Sequence, residues 1–189
     1  MKKYQIFKRT FDIILVILSF IFLFPLFLLI LILFLFFEKG PVFFKQTRIG
    51  QNGKNFLMYK FRTMSINTPN LPSSEINCMK ISIIGKILRR TNFDELPQLL
   101  NILFGDMSIV GPRPSLASQK DLNKLRLLNK SLSLKPGLTG LAQINSYDGM
   151  DFKKKAYYDG IYFKNKSFLL DVTIILRTII YLFKKPPKY

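Results

Sequence analysis

Apolar residues fill almost every position from Ile13 to Phe37, whereas elsewhere they form short stripes separated by lysine and arginine. Apart from Ser19 and Pro25 the run is wholly apolar, and at about 25 residues it is long enough to cross a bilayer as a helix. It exceeds a signal-peptide core and no small-residue cleavage site follows it, so it is expected to stay in the mature protein. Lys2, Lys3, Lys8 and Arg9 precede the run, and Lys39, Lys45, Arg48, Lys54, Lys60 and Arg62 follow it. The positive-inside rule asks for both flanks in the cytoplasm, which a straight span cannot provide. A helix broken near Pro25, entering and leaving by one leaflet, can provide it, because proline removes a backbone hydrogen bond there. We therefore expect a re-entrant helix over residues 1–38, with an ordinary proline-kinked span as the alternative.

After Gly40-Pro41 the pattern changes to β-formers arranged around Asn52-Gly53, which predicts a β-hairpin from Val42 to Phe61. Its Lys45, Arg48 and Lys60, with Arg62 just beyond, can carry cations to a site at the membrane surface. Ser65 to Ser74, with two prolines, reads as a loop, and Ile83 to Arg90 as a short helix. Leu96, Leu99, Leu100 and Leu103 recur at helical spacing, with Pro97 tolerable in a first turn and Gly105 as the stop. Leu116 to Leu134 is expected to be helical, KPGLTG (Lys135 to Gly140) turn-rich, and Phe152 to Lys185 to form basic, apolar-striped helices suited to the headgroup layer. The tail KKPPKY reads as a loose basic end. The class is α+β, mainly α, with residues 39–189 as one membrane-associated catalytic domain.

Asp94 and Glu95 fall at the start of the leucine-striped helix, and arginines lie on either side. A helix N-terminus favours anions, so it suits ionised carboxylates and a substrate phosphate beside them. A purely structural alternative is a capping box, with Asn92 as N-cap and Glu95 reaching back. Downstream, Gly111-Pro112-Arg113-Pro114 holds one guanidinium between two prolines, a setting suited to bidentate phosphate contact.

Composition narrows the chemistry. The chain of 189 residues has 29 Lys and Arg against 11 Asp and Glu, a net charge of +18 that points to an anionic partner. It has no histidine, which removes His-based acid–base catalysis, Ser-His-Asp triads and nearly all zinc sites. Cys78 alone cannot form an intrachain disulfide, in keeping with a reducing cytoplasmic setting. Reaction chemistry falls to Asp, Glu, Lys, Arg, Tyr or a hard ion such as Mg2+.

The ordered set KRTFD, GPVFFKQTRIG, YKFRTM, RRTNFDELPQLLN, GDMSIVGPRP, KPGLTGLAQIN and SFLLDVTII resembles the bacterial sugar transferases. These are monotopic phosphoglycosyl transferases that start capsule, exopolysaccharide, O-antigen (lipopolysaccharide) or glycan assembly, and the likeness is to their small, minimal form. The resemblance implies an enzyme on the cytoplasmic face of the bacterial inner membrane, with a UDP-sugar and polyprenyl (undecaprenyl) phosphate as substrates. It implies that Asp94 is a covalent nucleophile that takes the phosphosugar as UMP leaves, and that Glu95 coordinates Mg2+. It implies phosphate binding by Arg113 and supporting roles near the nucleotide sugar for Lys60 and Arg89. The neighbouring Arg62 is taken as a further substrate contact, and Asp159 and Asp171 match polar positions of the family's C-terminal part.

Two departures stand out. Small members often carry Ser directly before the helix-breaking proline, whereas here Phe24 precedes Pro25 and the hydroxyl is at Ser19. After LAQIN the family commonly reads GRN or GRD, whereas this chain has Ser146 to Lys155, SYDGMDFKKK, which leaves the sugar open. A basic nucleic-acid-binding protein on a membrane tether would explain the charge but give the acidic pair and GPRP no purpose. A non-catalytic scaffold predicts that Asp94 and Glu95 are replaceable. Nucleic acid is not expected as a partner, and a homo-oligomer is compatible with the sequence.

Overall fold

In the computed structural model, residues 2–38, 40–64, 81–145 and 150–182 are described. The loop expected at Ser65 to Ser74, the KKPPKY tail and the start of the SYDG segment lie outside them. The first element is one continuous helix, α1 (Lys2–Phe37), which stays helical through Pro25. Asp12, Val16, Ile30 and Phe34 form its buried stripe, while Ile14, Ile21, Phe22, Leu28 and Leu35 on other faces are exposed. The Ser19 hydroxyl donates to the Leu15 carbonyl at 2.7 Å. It is thus engaged with the preceding turn, not with the Ile21 carbonyl that Pro25 leaves without its usual donor.

The expected hairpin is present as β1 (Phe43–Ile49) and β2 (Asn55–Phe61), antiparallel from Phe43↔Phe61 to Ile49↔Asn55. Asn52 and Gly53 take φ of 55° and 78°, the left-handed conformation that an Asn-Gly pair accommodates at least cost. Helix α2 (Ile83–Thr91) starts at Ser82, whose hydroxyl accepts from Gly85 N at 2.9 Å. It ends at Asn92 in the left-handed region, and a 3-10 turn, Phe93–Glu95, leads into α3 (Gln98–Phe104), which stops at Gly105 with φ of 92°.

Beyond α3 the expectations need two corrections. The KPGLTG segment contains a strand, β4 (Gly137–Thr139), which pairs in parallel with β3 (Ser108–Val110). Each strand has three residues, too few for an alternating pattern to show. The glycines let the backbones meet: a Cβ on Gly137 would lie 2.1 Å from Gly111 N, and one on Gly140 would lie 2.1 Å from Gly111 O. The expected Leu116 to Leu134 helix is shorter, α4 (Lys120–Leu128), followed by left-handed Lys130 and a 3-10 turn. Ser115 and Asn123 side chains bond at 2.6 Å and Leu116 N donates to Gln119 Oε1 at 3.0 Å, so local side-chain bonds replace the first helical turn. A short α5 (Leu141–Ile144) precedes α6 (Phe152–Asn165), capped by Asp151, and α7 (Phe168–Leu182).

Both halves of α1 pack on the domain. Val16 joins Met58, Leu99, Ile102 and Met107 in one cluster, and Ile30 and Phe34 join Phe61 and Leu88 in another. Leu96, two residues after the acidic Asp94, touches both clusters. The Asn101 amide fixes the hairpin to α3, donating to Leu57 O at 2.7 Å and accepting from Tyr59 N at 3.0 Å. Lys60 is therefore held in a set position relative to the turn that carries Asp94 and Glu95.

Candidate active site

Lys60, Asp94, Glu95 and Arg113 converge from three elements. Lys60 Nζ lies 2.7 Å from Glu95 Oε1 and 3.7 Å from Asp94 Oδ2, and Arg113 Nη2 lies 2.7 Å from the same Glu95 oxygen. Glu95 takes no part in a capping box: Asn92 makes no side-chain cap and stands at the end of α2. Burial pushes the Glu95 carboxyl up, but Arg113 and Lys60 outweigh it and hold the group well below the usual carboxylate range. Asp94 goes the other way. Burial pushes it up, Lys60 opposes this, Glu95 adds to it, and Arg113 and Arg89 offset part. Adjacent carboxylates thus differ: one is tied to two cations, and the other is stripped of water with a cation at a distance.

Arg89 stands behind the pair, its Nε donating to Thr63 Oγ1 at 2.8 Å. Gly85 lets α2 sit against this segment, since a Cβ there would lie 2.3 Å from Thr63 O. Arg62 is buried, with its backbone N–H bonded to Val42 O at 2.9 Å, in the segment that carries the chain from β2 toward α2. The Arg113 side chain is 53% exposed, the most open of the four convergent groups.

Asp159 and Asp171 have other places. Asp159 forms a buried ion pair with Arg126 at 2.8 Å, and Arg126 Nη1 donates to the Arg113 carbonyl at 2.9 Å. Asp159 is therefore linked to the GPRP backbone through Arg126. Asp171 joins α7 to α1: its Oδ2 accepts from Tyr4 at 2.8 Å and Lys8 at 2.9 Å, and its Oδ1 accepts from Tyr162 at 2.6 Å. It does not join the Lys60, Glu95 and Arg113 cluster.

Several contributors escape a reading of the sequence. Arg126 lies in an ordinary basic helix, and only its burial marks it out. Lys8 and Arg9 read as membrane-flanking charges, yet Arg9 also donates to Leu103 O at 2.8 Å at the end of α3. Asp12 holds Ser108 Oγ at 2.7 Å, and a lone acid leading into an apolar run was the signal available for it. Lys155 on α6 is pulled down by burial and then by the charges of Arg113 and Arg126.

A family model described as bacterial sugar transferase matches residues 3–185. A Klebsiella pneumoniae protein named UDP-glucose:undecaprenyl-phosphate glucose-1-phosphate transferase is 38% identical over 184 residues, covering 93% of this chain and 40% of that relative. The exopolysaccharide production protein ExoY of Sinorhizobium fredii is 37% identical over 189 residues, covering 91% of this chain and 83% of ExoY. An uncharacterized sugar transferase of Bacillus subtilis, EpsL, is 42% identical over 139 residues, 74% of this chain and 68% of EpsL. The chain thus spans less than half of the Klebsiella relative but most of ExoY. With the family model matching nearly end to end and ExoY aligned over most of its length, the chain belongs to the bacterial sugar transferase family.

Proposed function

We propose that this chain transfers a sugar 1-phosphate from a UDP-sugar to undecaprenyl phosphate, through a covalent intermediate on Asp94. The observation that carries this reading is the division of labour between the two carboxylates. Glu95 accepts both close cation contacts, and Asp94, with Lys60 at 3.7 Å, keeps its oxygens for another partner. An Asp94 oxygen attacks the sugar-linked phosphorus, the bond to the bridging oxygen breaks, and UMP leaves with that electron pair. An oxygen of undecaprenyl phosphate then attacks the same phosphorus and releases Asp94. Lys60 offsets the charge of Asp94 before attack, and Arg113 binds the diphosphate oxygens.

The acidic pair fits Mg2+. Among the described residues no three Asp, Glu or Cys gather into a metal cluster, and Mg2+ bound through substrate phosphates needs one or two carboxylates from the protein. Glu95, with Asp94 beside it, would hold such an ion, with donor phosphates and water completing the coordination. When bound, it would neutralise the diphosphate.

Helix α1 supports placement on one face of a membrane. It is long and apolar enough to cross one, yet Tyr4 and Lys8 near its start bind Asp171 while Phe34 near its end packs on Phe61. Contacts from both ends to one domain support both ends lying on that domain's side. The basic flanks favour the cytoplasm for that side. In a Cys78→Ser background, cysteines at Lys3 and Lys39 should both resist labelling from outside intact cells and react after lysis; external labelling of one alone would show a spanning helix. The chemistry is tested by incubating purified protein with Mg2+, undecaprenyl phosphate and a panel of UDP-sugars. UMP release with one sugar is expected, and no release from any UDP-sugar would contradict the donor class.

A further inference from the structure

We propose that Arg48 and the cleft beside it hold the nucleotide half of the donor, with Arg48 on the departing phosphate and the cleft around its nucleoside. This rests on the reading of Asp94 as the attacking group. In the hairpin register Phe44, Gln46 and Arg48 lie opposite Lys60, Met58 and Phe56, so Arg48 shares a sheet face with Lys60. Its Nη2 donates to Gln46 Oε1 at 2.5 Å, and its Nη1 reaches the Pro114 carbonyl at 3.4 Å, next to Arg113. Its Nε is buried without an acceptor. Among the described residues no carboxylate lies within ion-pair distance of this guanidinium. Burial, then the charge of Arg113, bring it down to about 10, with Glu95 opposing, so it remains a cation at neutral pH. Two neighbouring guanidinium groups, one without a counter-charge, form a receptor for an anion shared between them.

The chemistry orients that anion. In-line displacement places attacking and leaving oxygens on opposite sides of the phosphorus. Asp94 stands beside Lys60 and Glu95, Arg113 bonds Glu95, and Arg48 bonds the Pro114 carbonyl next to Arg113. A leaving phosphate on the Arg113 side of the site comes within the field of Arg48, which offsets the charge that UMP gains as the phosphorus–oxygen bond breaks. Next to Arg48 is an open cleft of about 240 Å3 walled by Gln46, Asn55, Leu116, Ala117 and Ser118. It offers an amide and a hydroxyl for a base or ribose and an apolar side chain for a ring face. Its volume falls just below the usual range of small-molecule sites, which suits a single nucleoside and not a lipid chain.

The test measures UMP and inorganic phosphate binding by calorimetry on the full chain in nanodiscs with Mg2+. Arg48→Gln should weaken UMP binding by about tenfold or more through loss of charge-assisted bonds, and Arg48→Lys by less. Ala117→Trp, which fills the cleft from an exposed position, should weaken UMP binding several-fold and leave inorganic phosphate unchanged. If Arg48→Gln loses its cooperative thermal transition, Arg48 serves as a staple between hairpin and GPRP segment, and Ala117→Trp decides the cleft alone. Wild-type UMP affinity in both Arg48→Gln and Ala117→Trp would overturn the inference and leave the proposed function intact. A wild type that binds neither UMP nor UDP would overturn both.

Discussion

Two clusters of this protein bring acids and cations together, and they differ in how fully the acid is used. At Asp171 both carboxylate oxygens are taken, by Tyr4, Lys8 and Tyr162, and the residue is 3% exposed. At the Asp94 and Glu95 pair, the described cation hydrogen bonds fall on one Glu95 oxygen, and Asp94 keeps only a longer contact. A saturated carboxylate is a fastener, whereas an undersupplied one beside cations is available to a substrate. Asp159 is as buried as Asp171 although Arg126 occupies only its Oδ2, and that ion pair is closed to solvent and supports the backbone of Arg113. Residue type alone does not separate these roles; the partners that each carboxylate holds in the fold do.

The sharpest way to break this contrast is to remove one acid from each cluster. Asp94→Asn should lower turnover by roughly 10^3-fold or more, as loss of a covalent nucleophile does, with little change in melting temperature. Full turnover in that variant would move the nucleophile elsewhere. Asp171→Ala should act on stability instead, by about 3 kcal/mol, because it strands the half-buried Lys8 charge and two tyrosine hydroxyls. Unchanged melting with lost UMP binding would place Asp171 among the substrate contacts.

Arg113→Lys should reduce turnover by about tenfold or more, since a point charge does not reproduce a bidentate fork. Near-normal turnover in a folded, membrane-bound variant would remove Arg113 from the phosphate site. The smallest effect concerns pH. Asp94 must be ionised to attack, and its carboxyl is raised by burial against the pull of Lys60, so activity should fall on acidification at a pH above the ordinary carboxylate range. Lys60→Gln removes that pull and should move the acidic limb to higher pH. An unmoved limb would detach Lys60 from the titration of Asp94.

The hairpin was legible because Asn52-Gly53 is a local signal with one good solution, and Ile83 to Arg90 read as the short helix that α2 proves to be, while its caps at Ser82 and Asn92 came only with the fold. The β3 and β4 pair was not, since three-residue strands carry no period and the close approach of Gly111 and Gly137 is a property of two segments together. The convergence of Lys60, Asp94, Glu95 and Arg113 followed from the motifs, with the bonds themselves supplied by the fold. Asp171 and Asp159 were legible as special and not as structural, because their partners Tyr4, Lys8 and Arg126 are distant in the chain and unremarkable in composition. Arg48 likewise gains meaning from burial without a counter-charge, which a list of basic residues does not display.

Intact-protein mass spectrometry can detect a sugar phosphate carried covalently on Asp94. Enzyme given the accepted UDP-sugar and Mg2+ but no undecaprenyl phosphate should release up to one equivalent of UMP and gain the mass of one sugar phosphate. The added mass should map to Asp94, vanish when undecaprenyl phosphate is supplied, and fail to form in Asp94→Asn. A wild type that turns over with both substrates present, yet never carries the added mass when the acceptor is withheld, would contradict the covalent account.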